Sequence, residues 1–300
     1  MAPAILRPNR NVWRIERAAR AAVLIDGAAF FVAVRQAFLN ARHSIFVLGW
    51  DIDSRMRLVG ETNRPDDALP ATLAEFLTEL VRQRPELRVN LLLWDYSLLY
   101  AGEREMFPRL SLQWRTPEQI SLCLDNIVPF GCSQHQKIIV VDNAVAFSGG
   151  LDLTIRRWDT TDHCAGNPSR VDPSGSPFRP FHDVQMMVDG DAARALAEIA
   201  CERWARAAAC QKPDVEAHGD PWPASVTPDF TDVKVGISRT HPAYDDFGEV
   251  REAEALFLDS IDAAERSIYI ENQYFTSPAI PGRLATRLRV RKQREVLIVA

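Results

Sequence analysis

The segment 135–152 constrains the fold more than any other part of the sequence. Within it, Ile138–Val141 is a run of β-branched residues, which favours a β-strand. Asp142 and Asn143 follow as turn-forming residues, and 144–147 can return as the partner strand. The sequence therefore predicts a β-hairpin at this point of the chain.

Polar side chains and glycines lie at the open end of this hairpin. His135 and Lys137 are two residues apart, and side chains two apart on a strand share a face at roughly 6 to 7 Å. The return strand leads to Gly149 and Gly150, where a bare backbone can approach an anion and offer N–H donors. An imidazole, an ammonium group and a glycine-lined amide pocket together favour binding of a phosphate ester.

The spacing of His135, Lys137 and Asp142 resembles the HxKxxxxD signature of the phospholipase D superfamily. In that family the signature is followed by a Gly-Ser-x-Asn element. The corresponding residues here are 149–152, with Gly in place of Ser and Asp in place of Asn, a variant that resembles the phosphatidylcholine-type branch. The resemblance implies that the signature residues are catalytic. It also implies that substrate is bound by Gly149, Gly150 and Asp152.

Three later segments support the same resemblance. Arg157–Thr160 reads RWDT, Phe181–Val184 reads FHDV and Glu202–Trp204 reads ERW, in the order of that branch. The resemblance implies that Asp183 is the carboxylate that orients the nucleophilic histidine. A carboxylate on one imidazole nitrogen fixes the tautomer, makes the other nitrogen a better nucleophile and stabilises the cation that forms.

Helical and extended patterns alternate before the hairpin. Asp26 is placed to cap a helix whose apolar residues run over 30–41, and strand 44–50 follows. The apolar spacing over 69–81 predicts a second helix, which leads to strand 88–94. Two strands joined by a helix imply a parallel pair with a right-handed crossover. The predicted fold class is α/β, a layered α/β/α sandwich with a mixed, largely parallel sheet.

The chain of 300 residues is long enough for two domains or one large domain. Four prolines in 211–232 predict an interdomain linker. Residues 1–210 are then a first phospholipase D-like domain that carries the signature, and 233–300 are the start of a second, truncated domain of the same fold.

An internal repeat supports this division, because 260–277 repeats the helix end, Ser-Ile pair and apolar strand of 37–54. In the resembling family two such motifs face each other, and this sequence contains one. We expect the chain to be the N-terminal part of a longer protein, and the 300-residue piece alone to be inactive. The second motif is expected within several tens of residues beyond Ala300.

Composition limits the classes of function. Apolar residues make up 47% and charged residues 25%, as in ordinary globular proteins, and the net charge of −5 disfavours a nucleic-acid partner. No apolar run approaches the length of a membrane span, and the N-terminus lacks a signal-peptide pattern. Five cysteines without a C-x-x-C pair fit reduced thiols in the cytoplasm. The histidines lack zinc-ligand spacing, so we expect neither a metal nor another cofactor.

The resemblance implies a phosphodiesterase of the phospholipase D type. His135 attacks phosphorus to form a phosphohistidine, and Lys137 holds a non-bridging oxygen. Asp142 lies on the opposite strand face by parity and is expected to lock the hairpin. Water or an alcohol then releases the phosphatidyl group. The expected partner is a phospholipid at a membrane surface, so that the protein is peripheral to the membrane, and further candidate contacts are Trp50 and Asn272.

Three other functions remain open at this point. Cardiolipin-synthase-like phosphatidyl transfer is closely related chemistry. A nuclease of the same superfamily, completed by homodimerisation, is the second enzyme class, although the acidic charge balance disfavours it. An inactive lipid-binding fragment is the third.

Overall fold

A computed structural model describes residues 5–95, 111–112, 115–290 and 295–299. Its elements, in chain order, are β1 (Arg14–Ile25), α1 (Asp26–Asn40), β2 (Ser44–Gly49), α2 (Leu73–Gln83), β3 (Arg88–Trp94), β4 (Ile120–Asp125), β5 (Ile138–Val141), β6 (Val145–Gly149), β7 (Val184–Asp189), α3 (Gly190–Ala207), β8 (Phe230–Ile237), β9 (Thr240–His241), β10 (Val250–Arg251), α4 (Glu252–Ala263), β11 (Ser267–Glu271), α5 (Ala279–Val290) and β12 (Glu295–Val299). Ala300, the last residue of the predicted second domain, lies outside the described residues.

The largest sheet has the strand order β4-β3-β2-β5-β6-β7-β1-β8. The pair β2–β3 is parallel, as the predicted crossover requires, and the pair β3–β4 is parallel as well. The pairs β2–β5, β5–β6, β6–β7 and β1–β7 are antiparallel. The layered α/β fold with a mixed sheet is confirmed. The prediction that most strand pairs in the sheet are parallel is wrong. Tight connections such as the β5–β6 turn join neighbouring strands in opposite directions.

Alternation along β2 explains why the sheet is covered on both faces. Ile45 and Val47 belong to the core cluster that contains the buried side chains of α1 and α2. Phe46 points to the opposite face and packs edge-on against Trp204 of α3, with ring centroids 6.2 Å apart. Successive side chains of a strand point to opposite faces, so this continuous apolar strand needs helices on both sides.

The chain divides into two compact units. The larger is Arg17–Val233 and contains the hairpin. The Pro-rich segment 211–232 belongs to this unit, where the Asn143 side-chain amide donates hydrogen bonds to the carbonyls of Asp214 and Glu216. The domain boundaries expected from the sequence remain a prediction.

The smaller unit combines Met1–Glu16 with Lys234–Ala300. Its strands β11 and β12 are parallel, with Ser267 opposite Glu295. A small core of Ile261, Ile270 and Leu284 joins α4, β11 and α5.

Two observations bear on the expected location of the protein. Among the described residues, no helix has the length and apolarity needed to cross a membrane. All five cysteines are free thiols, and burial raises the pKa of Cys201 to about 12. The location itself remains a prediction.

Candidate active site

Strand ends from four elements meet at one end of the larger unit's sheet. In the antiparallel register, Leu48 lies opposite Ile138, Ile138 opposite Ser148, and Gly149 opposite Gln185. The carboxyl ends of β2 and β6 therefore lie beside the amino ends of β5 and β7. The residues that follow or precede these ends include Trp50, His135, Lys137, Gly150 and Asp183.

His135 lies just before β5 and its residue surface is exposed. Its ring is edge-on to the ring of Trp50, at 6.2 Å between centroids. Desolvation and the Lys137 ammonium group lower the pKa of His135 below 6.5, and the carboxylate of Asp152 opposes this shift. A lowered pKa keeps the imidazole neutral at neutral pH, which is the form that can act as a nucleophile.

Lys137 is buried and forms an ion pair with Asp152, at 2.9 Å between Nζ and Oδ2. The other carboxylate oxygen, Oδ1, accepts a hydrogen bond from the backbone N–H of Trp50. Asp152, predicted to bind substrate, therefore serves in this structure as the counterion of Lys137. No described residue completes a well-aligned hydrogen bond with Nζ. A buried ammonium with unfilled donors can bind an anionic oxygen.

The absence of side chains at Gly149 and Gly150 makes room for the side chains of Gln185 and Asp183. A Cβ at Gly150 would lie 2.1 Å from a carboxylate oxygen of Asp183, and one at Gly149 would lie 1.9 Å from the side-chain oxygen of Gln185. The N–H of Gly150 donates to the carbonyl of Val184 at 3.3 Å. The expectation that this glycine offers a free N–H donor is therefore wrong, because the neighbouring strand uses that donor.

The carboxylate of Asp183 lies directly beside Gly150. Burial raises the pKa of its carboxyl group, against the opposing effects of the Val184 N–H and the nearby charge of Lys137. Within the part of the chain that the structure describes, no hydrogen bond joins Asp183 to His135. Its predicted role in orienting the histidine remains a prediction.

Asp142 lies at the opposite end of β5 from His135 and is 1% exposed. Its carboxylate accepts hydrogen bonds of 2.7 to 2.8 Å from the backbone N–H groups of Arg42, His43 and Ser44. These three bonds fix the turn that enters β2. The carboxylate of the third signature residue therefore contacts the backbone before β2 and not the hairpin that it was expected to lock.

The remaining two predicted contacts lie in different units. Trp50 follows β2 beside Trp94, at 6.1 Å between ring centroids. Asn272 follows β11 in the smaller unit, where its N–H donates to the carbonyl of Val299. It lines a cavity of about 250 Å³ with Tyr274 and Phe275.

A second polar cluster was not predicted from the sequence. Asp26 begins α1 with φ +68°, and its Oδ1 lies 2.7 Å from Nδ1 of His182. Its Oδ2 is buried without a hydrogen bond and lies 3.3 Å from Nε2 of His163. Asp26 was expected to cap α1, but its carboxylate makes no cap hydrogen bond and contacts the histidines instead.

The ligand atoms of Asp26, His163 and His182 lie within 4.8 Å of one another. Carboxylate oxygens and imidazole nitrogens are common ligands of divalent metals. The cluster also touches the candidate active site, since the N–H of Asp183 donates to Asp26 Oδ1 at 3.2 Å. Sequence spacing gave no signal for it, because its members come from separate parts of the chain.

A buried arginine holds the loop that carries His163. Arg170 donates to a carboxylate oxygen of Asp159 at 2.8 Å, and Asp159 also lies 3.2 Å from Nδ1 of His163. Although burial opposes the shift, hydrogen bonds from the Phe181 N–H and from Arg170 lower the pKa of Asp159. The loop that carries His163 is thus fixed by a buried ion pair.

Comparisons with known proteins show which proteins this chain is similar to. A family model described as phospholipase D matches residues 121–231. Phospholipase D C of Dictyostelium discoideum is 27% identical over 209 residues, which are 60% of this chain and 12% of that protein. Phospholipase D A of the same organism is 25% identical over 298 residues, covering 86% of this chain and 22% of that protein. Phospholipase D alpha 1 of Vigna unguiculata is 26% identical over 311 residues, covering 80% of this chain and 38% of that protein.

This chain thus spans a minor part of the length of these curated relatives. Among solved structures, phosphatidylserine synthase from Haemophilus influenzae has a TM-score of 0.52 at 14% identity. The match covers 95% of this chain and 61% of that one. At this identity the likeness shows the fold.

Proposed function

We propose that this chain, which belongs to the phospholipase D superfamily, cleaves a phosphodiester bond of a glycerophospholipid through a phosphohistidine intermediate. One observation carries the proposal. The imidazole of His135, an exposed residue with a lowered pKa, lies two residues from the buried side chain of Lys137. A neutral nucleophile beside a fixed cation suits attack on an anionic phosphorus centre.

The first step forms a bond between a ring nitrogen of His135 and phosphorus. The bond from phosphorus to the headgroup oxygen breaks, and its electron pair leaves with that oxygen, which takes up a proton. The resemblance assigns that proton to the histidine of the predicted second motif. Lys137 stabilises the charge on a non-bridging oxygen, and such a charge-assisted bond contributes roughly 1.5 to 3 kcal/mol.

In the second step the oxygen of water or of an alcohol attacks phosphorus and gives up a proton. The nitrogen–phosphorus bond breaks, which restores the neutral imidazole and releases phosphatidic acid or a new phosphatidyl ester. The proposed role of Asp183 is to orient His135 and to stabilise the ring while it carries positive charge. Its position beside Gly150 supports a place for it in the same site.

The proposal of a phospholipid substrate is supported by the names of the relatives and by the net charge of the chain. The three curated relatives above carry the name phospholipase D. The net charge of −5 gives little attraction for a long polyanion such as a nucleic acid. We therefore propose a glycerophospholipid at a membrane surface as the substrate.

The test is turnover of phosphatidylcholine vesicles by the full-length protein in the presence of ethanol. Wild type is expected to form phosphatidylethanol, and His135→Ala is expected to lose this activity by at least roughly a thousandfold. His43→Ala is the matched control, because His43 is exposed and precedes the opposite end of β2.

The outcomes separate chemistry from substrate. Cleavage of a simple diester or of a nucleic acid that depends on His135, without lipid turnover, would keep the mechanism and reject the phospholipid. Equal activity of wild type and His135→Ala would reject the mechanism.

A further inference from the structure

The loop that connects β4 to His135 carries a fully exposed aromatic side chain. Phe130 has a relative exposure of 107%, the highest among the exposed large apolar residues of the described chain. The loop turns at this point, since the N–H of Cys132 donates to the carbonyl of Pro129 at 3.0 Å and Gly131 has φ +82°. The turn presents the Phe130 ring to solvent.

The same loop contains no charged residue. Asp, Glu, Lys and Arg are absent from 126–135, although they make up 25% of the chain. Moving charged groups from water into an apolar medium is costly, whereas an uncharged loop tip avoids that cost. Phe130 is thus presented in surroundings that permit transfer out of water.

The base of the loop is fixed by a buried ion pair. Arg203 of α3 forms hydrogen bonds of 2.5 and 2.8 Å with both carboxylate oxygens of Asp125, the last residue of β4. It also donates to the carbonyl of Ile127 at 2.9 Å, and the N–H of Ile127 donates to Asp125. A fixed base means that insertion of the tip requires little additional ordering of the loop.

We propose that Phe130 is a membrane anchor, which inserts its ring at the boundary between headgroups and acyl chains of a phospholipid bilayer. The partner class rests on the proposed function. The chain from Phe130 to His135 spans at most about 18 Å. Interfacial apolar groups lie roughly 5 to 10 Å into this boundary, so a phosphodiester at the bilayer surface lies within that span of the anchor.

The test measures binding to phosphatidylcholine vesicles by flotation for wild type, Phe130→Ser and Phe130→Trp. Loss of the buried ring is expected to weaken binding roughly ten- to a hundredfold in Phe130→Ser. Phe130→Trp is expected to bind as wild type does and to show additional fluorescence quenching by brominated lipid. Phe230→Ser is the matched control, because Phe230 is an exposed phenylalanine on β8, at the opposite edge of the sheet from β4.

Turnover of a monomeric short-chain phosphatidylcholine separates the anchor from the chemistry. Phe130→Ser is expected to keep this activity while losing activity on vesicles. Equal vesicle binding of wild type and Phe130→Ser, or no added quenching in Phe130→Trp, would overturn the anchor even if lipid is cleaved. Vesicle binding that depends on Phe130 without cleavage of either lipid would support the anchor and reject the proposed function.

Discussion

Two strand–helix–strand segments of this chain share a local pattern and differ in their surroundings. In the larger unit, β2 and β3 are parallel with Ser44 opposite Arg88. In the smaller unit, β11 and β12 are parallel with Ser267 opposite Glu295. Each first strand begins with Ser-Ile, so the two registers correspond position by position.

Burial at corresponding positions is very different. On the first strands, Phe46 of β2 is 3% exposed, whereas Tyr269 of β11 is 58% exposed. On the second strands, Leu91 of β3 is 0% exposed, whereas Ile298 of β12 is 38% exposed. The first pair lies inside an eight-stranded sheet, and the second forms a two-stranded sheet among the described residues. The local pattern sets the strands and their direction, while neighbouring elements decide how much apolar surface is buried.

The largest expected effect comes from truncating the apolar side chains at corresponding strand positions. Leu91→Ala should destabilise the larger unit by about 2 to 5 kcal/mol, because it removes a fully buried side chain and leaves a cavity. Ile298→Ala should cost about 1 kcal/mol or less, since water already reaches that side chain. Urea unfolding of both variants measures the difference. Equal losses would contradict the view that neighbours, rather than local pattern, determine the energetics.

A second prediction concerns how β2 is fixed in place. Asp142→Asn should destabilise the protein by about 2 to 3 kcal/mol, because three backbone N–H groups lose a charged acceptor. Its effect on the proposed turnover should follow stability alone, as judged by activity at a temperature where the variant is folded. Loss of activity in the folded variant would show that Asp142 has a direct part in chemistry.

The smallest expected effect is a shift in the pH dependence of kcat/KM, which we expect to follow the pKa of His135. Because the folded protein lowers the pKa of His135, the acidic limb of kcat/KM should lie below pH 6.5. The unfolded chain binds this proton more tightly, so His135 also reduces stability as pH falls below about 6.5. Asp152→Asn removes a charge that raises this pKa, and the limb should then move to lower pH. An NMR titration of His135 gives the same quantity without turnover, and an upward shift would contradict the assignment.

Some parts of the fold were predictable because their signals are local. The predicted strand 88–94 coincides with β3, and the predicted hairpin forms β5 and β6. In contrast, the sequence pattern did not predict the strand β1. Its sequence RIERAARAAVLI is rich in Ala and Arg, which favour helices, and only antiparallel pairing with β7 makes it a strand. Tertiary pairing overrides a weak propensity here.

The sequence by itself determined the hairpin, the parallel crossovers and the spacing of His135, Lys137 and the glycine pair, because these depend on residues close together in the chain. Only the tertiary structure decided that the Gly150 N–H is used by Val184 and that Asp152 is the counterion of Lys137. It likewise brought Asp26, His163 and His182 together. Such contacts depend on which strand ends lie side by side, and that arrangement is set by long-range pairing and burial rather than by any local pattern.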